Sequence, residues 1–242
     1  MKISPNVLTK DFFKGKNTLC IAENILGKVL VRRYRGRIGV YLLTEVEAYD
    51  GPHDKASHAH HGKTPRNAQM FGEAGKWYVY FVYGMHWMLN IVTGPKEYPA
   101  AILIRGVALI QEAKTRTIFA CAEHKVAPPA RGASRSRLVT PPLAGTMLTR
   151  LRKALSIEHR ASFSEIAARL NKLNGPGRLT SALKIDEKFN GKRASKKTGL
   201  WIEDWGIKIP PRAIRRVPRI GVSYAKEWAK KPYRYLISSG NS

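Results

Sequence analysis

Five β-rich runs crowd the stretch from residue 28 to residue 110: KVLVRRY (28–34), RIGVYLLTEVEAYDG (37–51), KWYVYFVYG (76–84), HWMLNIVTG (86–94) and PAAILIRGVALI (99–110). β-Branched and aromatic residues dominate them, and Gly, Asp or Pro punctuates them. Strands and helices do not alternate as βαβ units, so a mixed α+β architecture is expected. The expected form is one compact domain over residues 1–242, with a curved, mostly antiparallel sheet, surrounding helices and a protruding β-hairpin. The hairpin is the pair of runs either side of Gly84.

Helical signals are fewer. TLCIAENILG (18–27) has helix-like apolar spacing that stops at Gly27, SEIAARLNKL (164–173) reads as a helix, and NGPGRLTSALKI (174–185) as a tight turn feeding a short one. VAPPARGASRSRLVTPPLAG is rich in Pro, Gly, Ser and Arg, so a long loop is expected over about 111–150.

The chain carries 43 Lys and Arg against 17 Asp and Glu, a formal net charge of +26. That excess points to a polyanion, nucleic acid above all. A membrane surface is the competing reading, but it calls for a polybasic block or amphipathic helix, and here the charge runs the whole length. Two cysteines, Cys20 and Cys121, cannot build a disulfide framework or a four-cysteine zinc site. MKISPNVLTKDFF has no apolar signal region, and no apolar run approaches the ~18 residues of a membrane span. A soluble, intracellular protein is expected, cytoplasmic at the nucleoid in a bacterium or nuclear in a eukaryote.

Three stretches carry candidate chemistry. On a regular strand, Tyr41, Leu43, Glu45, Glu47 and Tyr49 share one face. Two acids on a surface meant for phosphates suit a general base that holds a water; a solvated face or ion pairs to nearby arginines is the plainer alternative. DGPHDKASHAHHGKTPRN offers His53, Asp54, His58, His60 and His61, donors that suit a metal, yet no metal motif frames them and a polar loop is the simpler reading. YVYFVYGMHWMLN (78–90) gathers aromatics around a turn, either as ordinary sheet packing or as a wedge with rings behind it.

Taken together and in order, ILGKVLVRR, EVEAYDGPHDKASHA, GKTPRNAQMFG, YVYFVYGMHWMLN, AAILIRG, NGPGRLTSAL and RIGVSYAKEWAKKPYRY resemble the alkyladenine (methylpurine) DNA glycosylases over nearly the whole chain. The resemblance implies a hairpin entering the minor groove of double-stranded DNA, and hydrolysis of the N-glycosidic bond of damaged purines by a monomer that needs no metal or cofactor. It assigns Glu47 to activating the water and places Arg105 near the water and the target phosphate. It makes Tyr49 and Tyr80 pocket rings, His58 a wall contacting the base, and Asn90 a group at the purine edge that clashes with the 2-amino group of guanine. It makes Tyr83 the intercalating residue, and Met85, beside it at the tip, is expected to intercalate with it. A monofunctional enzyme that flips its target is therefore expected, the alternative being a non-enzymatic DNA binder with a vestigial pocket. RGVALIQEAK lacks the family's acidic Glu-Pro, and Met88 stands where a cysteine is frequent.

Overall fold

A computed structural model describes residues 6–14, 17–114 and 172–238. Most of the expected loop at 111–150 and of the expected helix at 164–173 lies outside these residues.

Among the described residues ten strands form one sheet, and every pairing is antiparallel. In chain order the strands are β1 (Asn6–Val7), β2 (Val29–Tyr34), β3 (Arg37–Asp50), β4 (Trp77–Val82), β5 (His86–Val92), β6 (Ala100–Lys114), β7 (Lys172–Asn174), β8 (Leu200–Asp204), β9 (Ile214–Val217) and β10 (Arg234–Ile237). The helices are α1 (Lys10–Lys14), α2 (Thr18–Ile25) and α3 (Pro176–Ala182), so the mixed α+β expectation holds. The strand order is β1-β8-β2-β3-β6-β5-β4, with β10 joining β3 to β9 and β7 on β6. Two sequence readings shift. β6 runs on to Lys114, into the expected loop, and Lys172 and Leu173, read as the end of a helix, pair with Ala108 and Val107.

β3 organises the molecule. Its first half pairs with β2 and its second with β10, while β6 runs along its other side. Strict alternation along β3, however, does not hold. Register shifts fall between Leu43 and Glu45 and between Glu45 and Val46, so Thr44 is an extra residue on β3 and Arg105 an extra residue on β6. Tyr41 and Leu43 therefore pack into the main core together with Val46 and Ala48, and Glu45, Glu47 and Tyr49 do not share their face. A bulge flips the side-chain sequence of a strand and re-aims the residues beyond it. It has a local cost, since the Thr44 hydroxyl is buried without a hydrogen-bond partner. It also restricts Gly106, where an added Cβ would lie 3.0 Å from the Glu45 Cβ.

The main core lies between this sheet and the helices. Ile21 and Ile25 of α2 and Leu179 of α3 meet Leu30, Leu43, Trp77, Leu89 and Ile104, all fully buried. A second apolar cluster, Val29, Val31, Val40, Trp201 and Trp205, is built on the other side chains of β2 and β3. Among the described residues no helix is long and apolar enough to cross a membrane.

Candidate active site

Beyond the bulge, β3 delivers Glu47 and Tyr49 to the wall of a cavity of about 620 Å3, within the roughly 300–1,000 Å3 of small-molecule sites. His58, Tyr80, Tyr83, Asn90 and Arg105 line the same cavity, so seven of the eight residues singled out in the sequence converge there. Met85 sits at the adjoining hairpin tip.

Glu47 lies between Leu103 of β6 and Arg234 of β10 and has no surface open to bulk water. Its Oε1 accepts the Ile220 N–H at 2.8 Å and faces Arg105 Nη1 at 3.4 Å; its Oε2 accepts the Tyr49 hydroxyl at 2.9 Å. A carboxylate offers about four acceptor positions, so two hydrogen bonds and the longer Arg105 contact leave room for one more. Burial pushes the Glu47 pKa up; Arg105, the Ile220 amide and Tyr49 pull it back without cancelling that rise.

The arginine contact could make Glu47 merely half of an ion pair, but Arg105 is shared. Its Nε donates to Glu45 Oε1 at 3.1 Å, closer than its approach to Glu47, and Arg234 Nη1 reaches the same Glu45 oxygen at 3.0 Å. Glu45 thus fixes Arg105, and Glu47 keeps the cavity. The bulge that places Arg105 between the two acids also turns its carbonyl to the Gly175 N–H, at the start of α3.

The ring wall comes from β4 and the loop after β3. Tyr78 and Tyr80 lie on one strand face with centroids 5.0 Å apart, and the His58 ring stands edge-on to Tyr80 at 4.6 Å. His58 Nδ1 is 3.1 Å from the Tyr78 hydroxyl. The imidazole has an exposed edge, yet its packing in the wall removes enough water to lower its pKa, and Arg66 lowers it further. Both effects favour the neutral ring. Burial raises the Tyr49, Tyr78 and Tyr80 phenols far above their ordinary value, so they remain hydrogen-bond donors. Arg66 donates to Phe81 O and stands 5.8 Å from the Tyr80 ring centre.

Asn90 is buried, and its Nδ2 donates to Tyr78 O at 3.1 Å and to Met88 O at 3.4 Å. The donor end is committed to the hairpin's own backbone, so only the carbonyl end remains for a ligand, which the sequence does not reveal.

The hairpin settles which of its aromatics are core. Trp77 and Tyr78 are buried at its root, Tyr80 is half-buried in the cavity wall, and Tyr83 at the tip is 84% exposed. Met85 N–H donates to Val82 O, with Tyr83 at φ 52° and Gly84 at φ 64°. Positive φ at both central residues is the geometry of a type I′ turn, which favours Asn-Gly. A bulky ring at the first of these positions is strained, and strain of this kind collects at functional sites.

One wall was not foreseen. Ile220, Gly221, Val222 and Tyr224, from the tail, line the cavity. The segment is anchored by Arg219, whose guanidinium grips Asp54, donates to Ala48 O and lies 4.7 Å from the Tyr49 ring centre. Asp54 is therefore an internal counter-ion, while His60 faces Pro52 O and the His61 ring. Among the described residues no group of three or more His, Cys, Asp or Glu is arranged to hold a metal ion. The signal for the tail wall was in RIGVSY, where two apolar residues flank a glycine after an arginine.

The model of a protein family described as methylpurine-DNA glycosylase matches residues 11–241. A relative in the archaeon Methanocella arvoryzae is 36% identical over 230 residues, 95% of this chain and 91% of its own. One in Streptomyces avermitilis is 33% identical, covering 96% and 88% of the two chains, and one in Chlamydia pneumoniae is 31% identical, covering 98% and 97%. All three carry the provisional name 3-methyladenine DNA glycosylase.

Proposed function

The chain belongs to the methylpurine-DNA glycosylase family, and on that premise we propose that it is a monofunctional, monomeric glycosylase that flips alkylated purines from duplex DNA and releases them with a Glu47-activated water. The coarser part follows from the family: a DNA-repair glycosylase acting on alkylated bases. The observation that carries the finer part is Glu47, a buried carboxylate with a raised pKa and one acceptor position unfilled, in the wall of a ring-lined cavity.

Each residue then has a task its position supports. Tyr83, exposed and held at positive φ, enters the base stack where the target leaves it. Tyr49 and Tyr80 receive the base between their faces, an attraction worth about 0.5–2 kcal/mol per ring for a cationic alkylpurine. Alkylation has already weakened the glycosidic bond, so the protein needs to stabilise an oxocarbenium-like sugar and position a water. Glu47 does both. Because it has no surface open to solvent, water reaches Oε2 by a small displacement of the Tyr49 hydroxyl, a shift that a base stacking on that ring would drive. Arg105, braced by Glu45, binds the target phosphate and keeps the water on Glu47. Asn90 presents its carbonyl to the purine edge.

The test is a duplex with a single methylated purine, incubated with excess protein and EDTA. Free base should appear and the DNA should keep an abasic site. Borohydride should trap no covalent adduct, since no amine attacks. Tight binding with no base release would favour the vestigial-pocket alternative.

A further inference from the structure

Seven large apolar side chains are exposed among the described residues, and four of them line this one cavity. Phe81 and Tyr83 belong to the hairpin; Ile220 and Tyr224 come from the tail. Apolar surface gathered in one place on a highly charged protein marks a contact site. Nor is the tail pair loose chain. Arg219, Val222 and Ala225 turn inward, Val222 and Ala225 packing with Ala56, which leaves Ile220 52% and Tyr224 64% exposed. The Tyr224 hydroxyl donates to Ala56 O at 3.1 Å, and Arg219 is gripped by Asp54, so the segment is fastened at both ends. Its exposed faces are pre-organised, which lowers the entropy cost of contact.

The Ile220 N–H holds Glu47 Oε1 at 2.8 Å, so the outward side chain of Ile220 starts one residue from the carboxylate. When a base fills the cavity, its sugar, one bond away, has to lie beside that carboxylate. Deoxyribose offers a C–H face to apolar side chains. Tyr83 and Tyr224 line the same cavity, and Tyr224 lies within electrostatic reach of the Tyr83 phenol.

We infer that Ile220 and Tyr224 form a second jaw, facing the hairpin tip, which packs on the deoxyribose of the extruded nucleotide and holds its anomeric carbon at Glu47. The inference rests on reading the cavity as the base pocket. Tyr83 opens the duplex; the jaw keeps the nucleotide out of it.

Tyr224→Ala and Tyr224→Phe test it in the full chain, with a duplex carrying a methylated purine beside 2-aminopurine. Fluorescence reports unstacking, quenched-flow reports free base at saturating enzyme, and affinity for undamaged duplex serves as the control for folding and charge. Tyr224→Ala should lower both the unstacked fraction and the release rate about tenfold, with undamaged-duplex affinity within twofold. Tyr224→Phe, which keeps the ring and loses only the tie to Ala56, should stay within about twofold throughout. Tyr224→Ala at wild-type levels would overturn the jaw, and so would a Tyr224→Phe as impaired as Tyr224→Ala, since the tie and not the ring would then matter. If wild type itself releases no base, it is the glycosylase reading that fails.

Discussion

Two carboxylates seven residues apart, Glu47 on β3 and Asp54 in the loop after it, are both fully buried and both faced by an arginine. Asp54 accepts four donors, two from Arg219 and the N–H groups of Asp50 and Ala56. Glu47 accepts two, from the Ile220 N–H and the Tyr49 hydroxyl, has Arg105 beside it as an ion pair at 3.4 Å, and borders a cavity. A saturated buried carboxylate suits architecture; one short of a donor, with its pKa raised beside a cavity, suits the chemical role proposed for Glu47. Burial alone does not separate them. The count of donors does.

Breaking the saturated pair should have the largest effect on the fold. Asp54→Ala strands the buried Arg219, whose Nε already lacks a partner, and should cost about 3–5 kcal/mol, a large share of the roughly 5–15 kcal/mol that holds a typical domain. Urea unfolding measures it; a loss under about 1 kcal/mol would put Asp54 in the same class as Glu47.

The arginines sharpen the contrast. Arg105→Ala removes a donor from the cavity and leaves Glu45 held by Arg234. It should slow single-turnover base release roughly a hundredfold with little change in stability. An effect on the melting temperature as large as that of Asp54→Ala would make Arg105 structural.

The sheet and the hairpin were legible in the sequence because strand composition and Gly84 are local signals. The convergence of Glu47, Tyr49, His58, Tyr80, Asn90 and Arg105 was legible through the ordered family segments. What was hidden is non-local. No pattern of residues announces that Thr44 is a bulge, so Tyr41 and Leu43 were placed with the acids although they point to the core. Asp54 read as a candidate ligand because its partner, Arg219, stands 165 residues away. Ile220 and Tyr224 read as tail for the same reason. Asn90 lines the cavity, but which end of its amide is free depends on the backbone it bonds.

A smaller effect follows from the raised Glu47 pKa. The carboxyl must be ionised to act, so base release should fall as pH drops through an apparent pKa above the ordinary ~4.3 of glutamate. For stability the sign is opposite. A carboxyl whose pKa is raised by folding favours the fold while protonated and loses that contribution as pH rises through the folded value. Glu47→Gln should therefore melt at or slightly above wild type at pH 8, a gain that shrinks toward pH 4. Thermal unfolding at both values checks it; a lower melting temperature at pH 8 would mean that Glu47 holds the fold together.

Single-turnover release of a methylated purine by Glu47→Gln tests the whole most directly. A loss of at least roughly a hundredfold, with affinity for the lesion duplex kept within about threefold, is the predicted result. Release within tenfold of wild type would show that another group activates the water, and that the unfilled position on Glu47 does no chemistry.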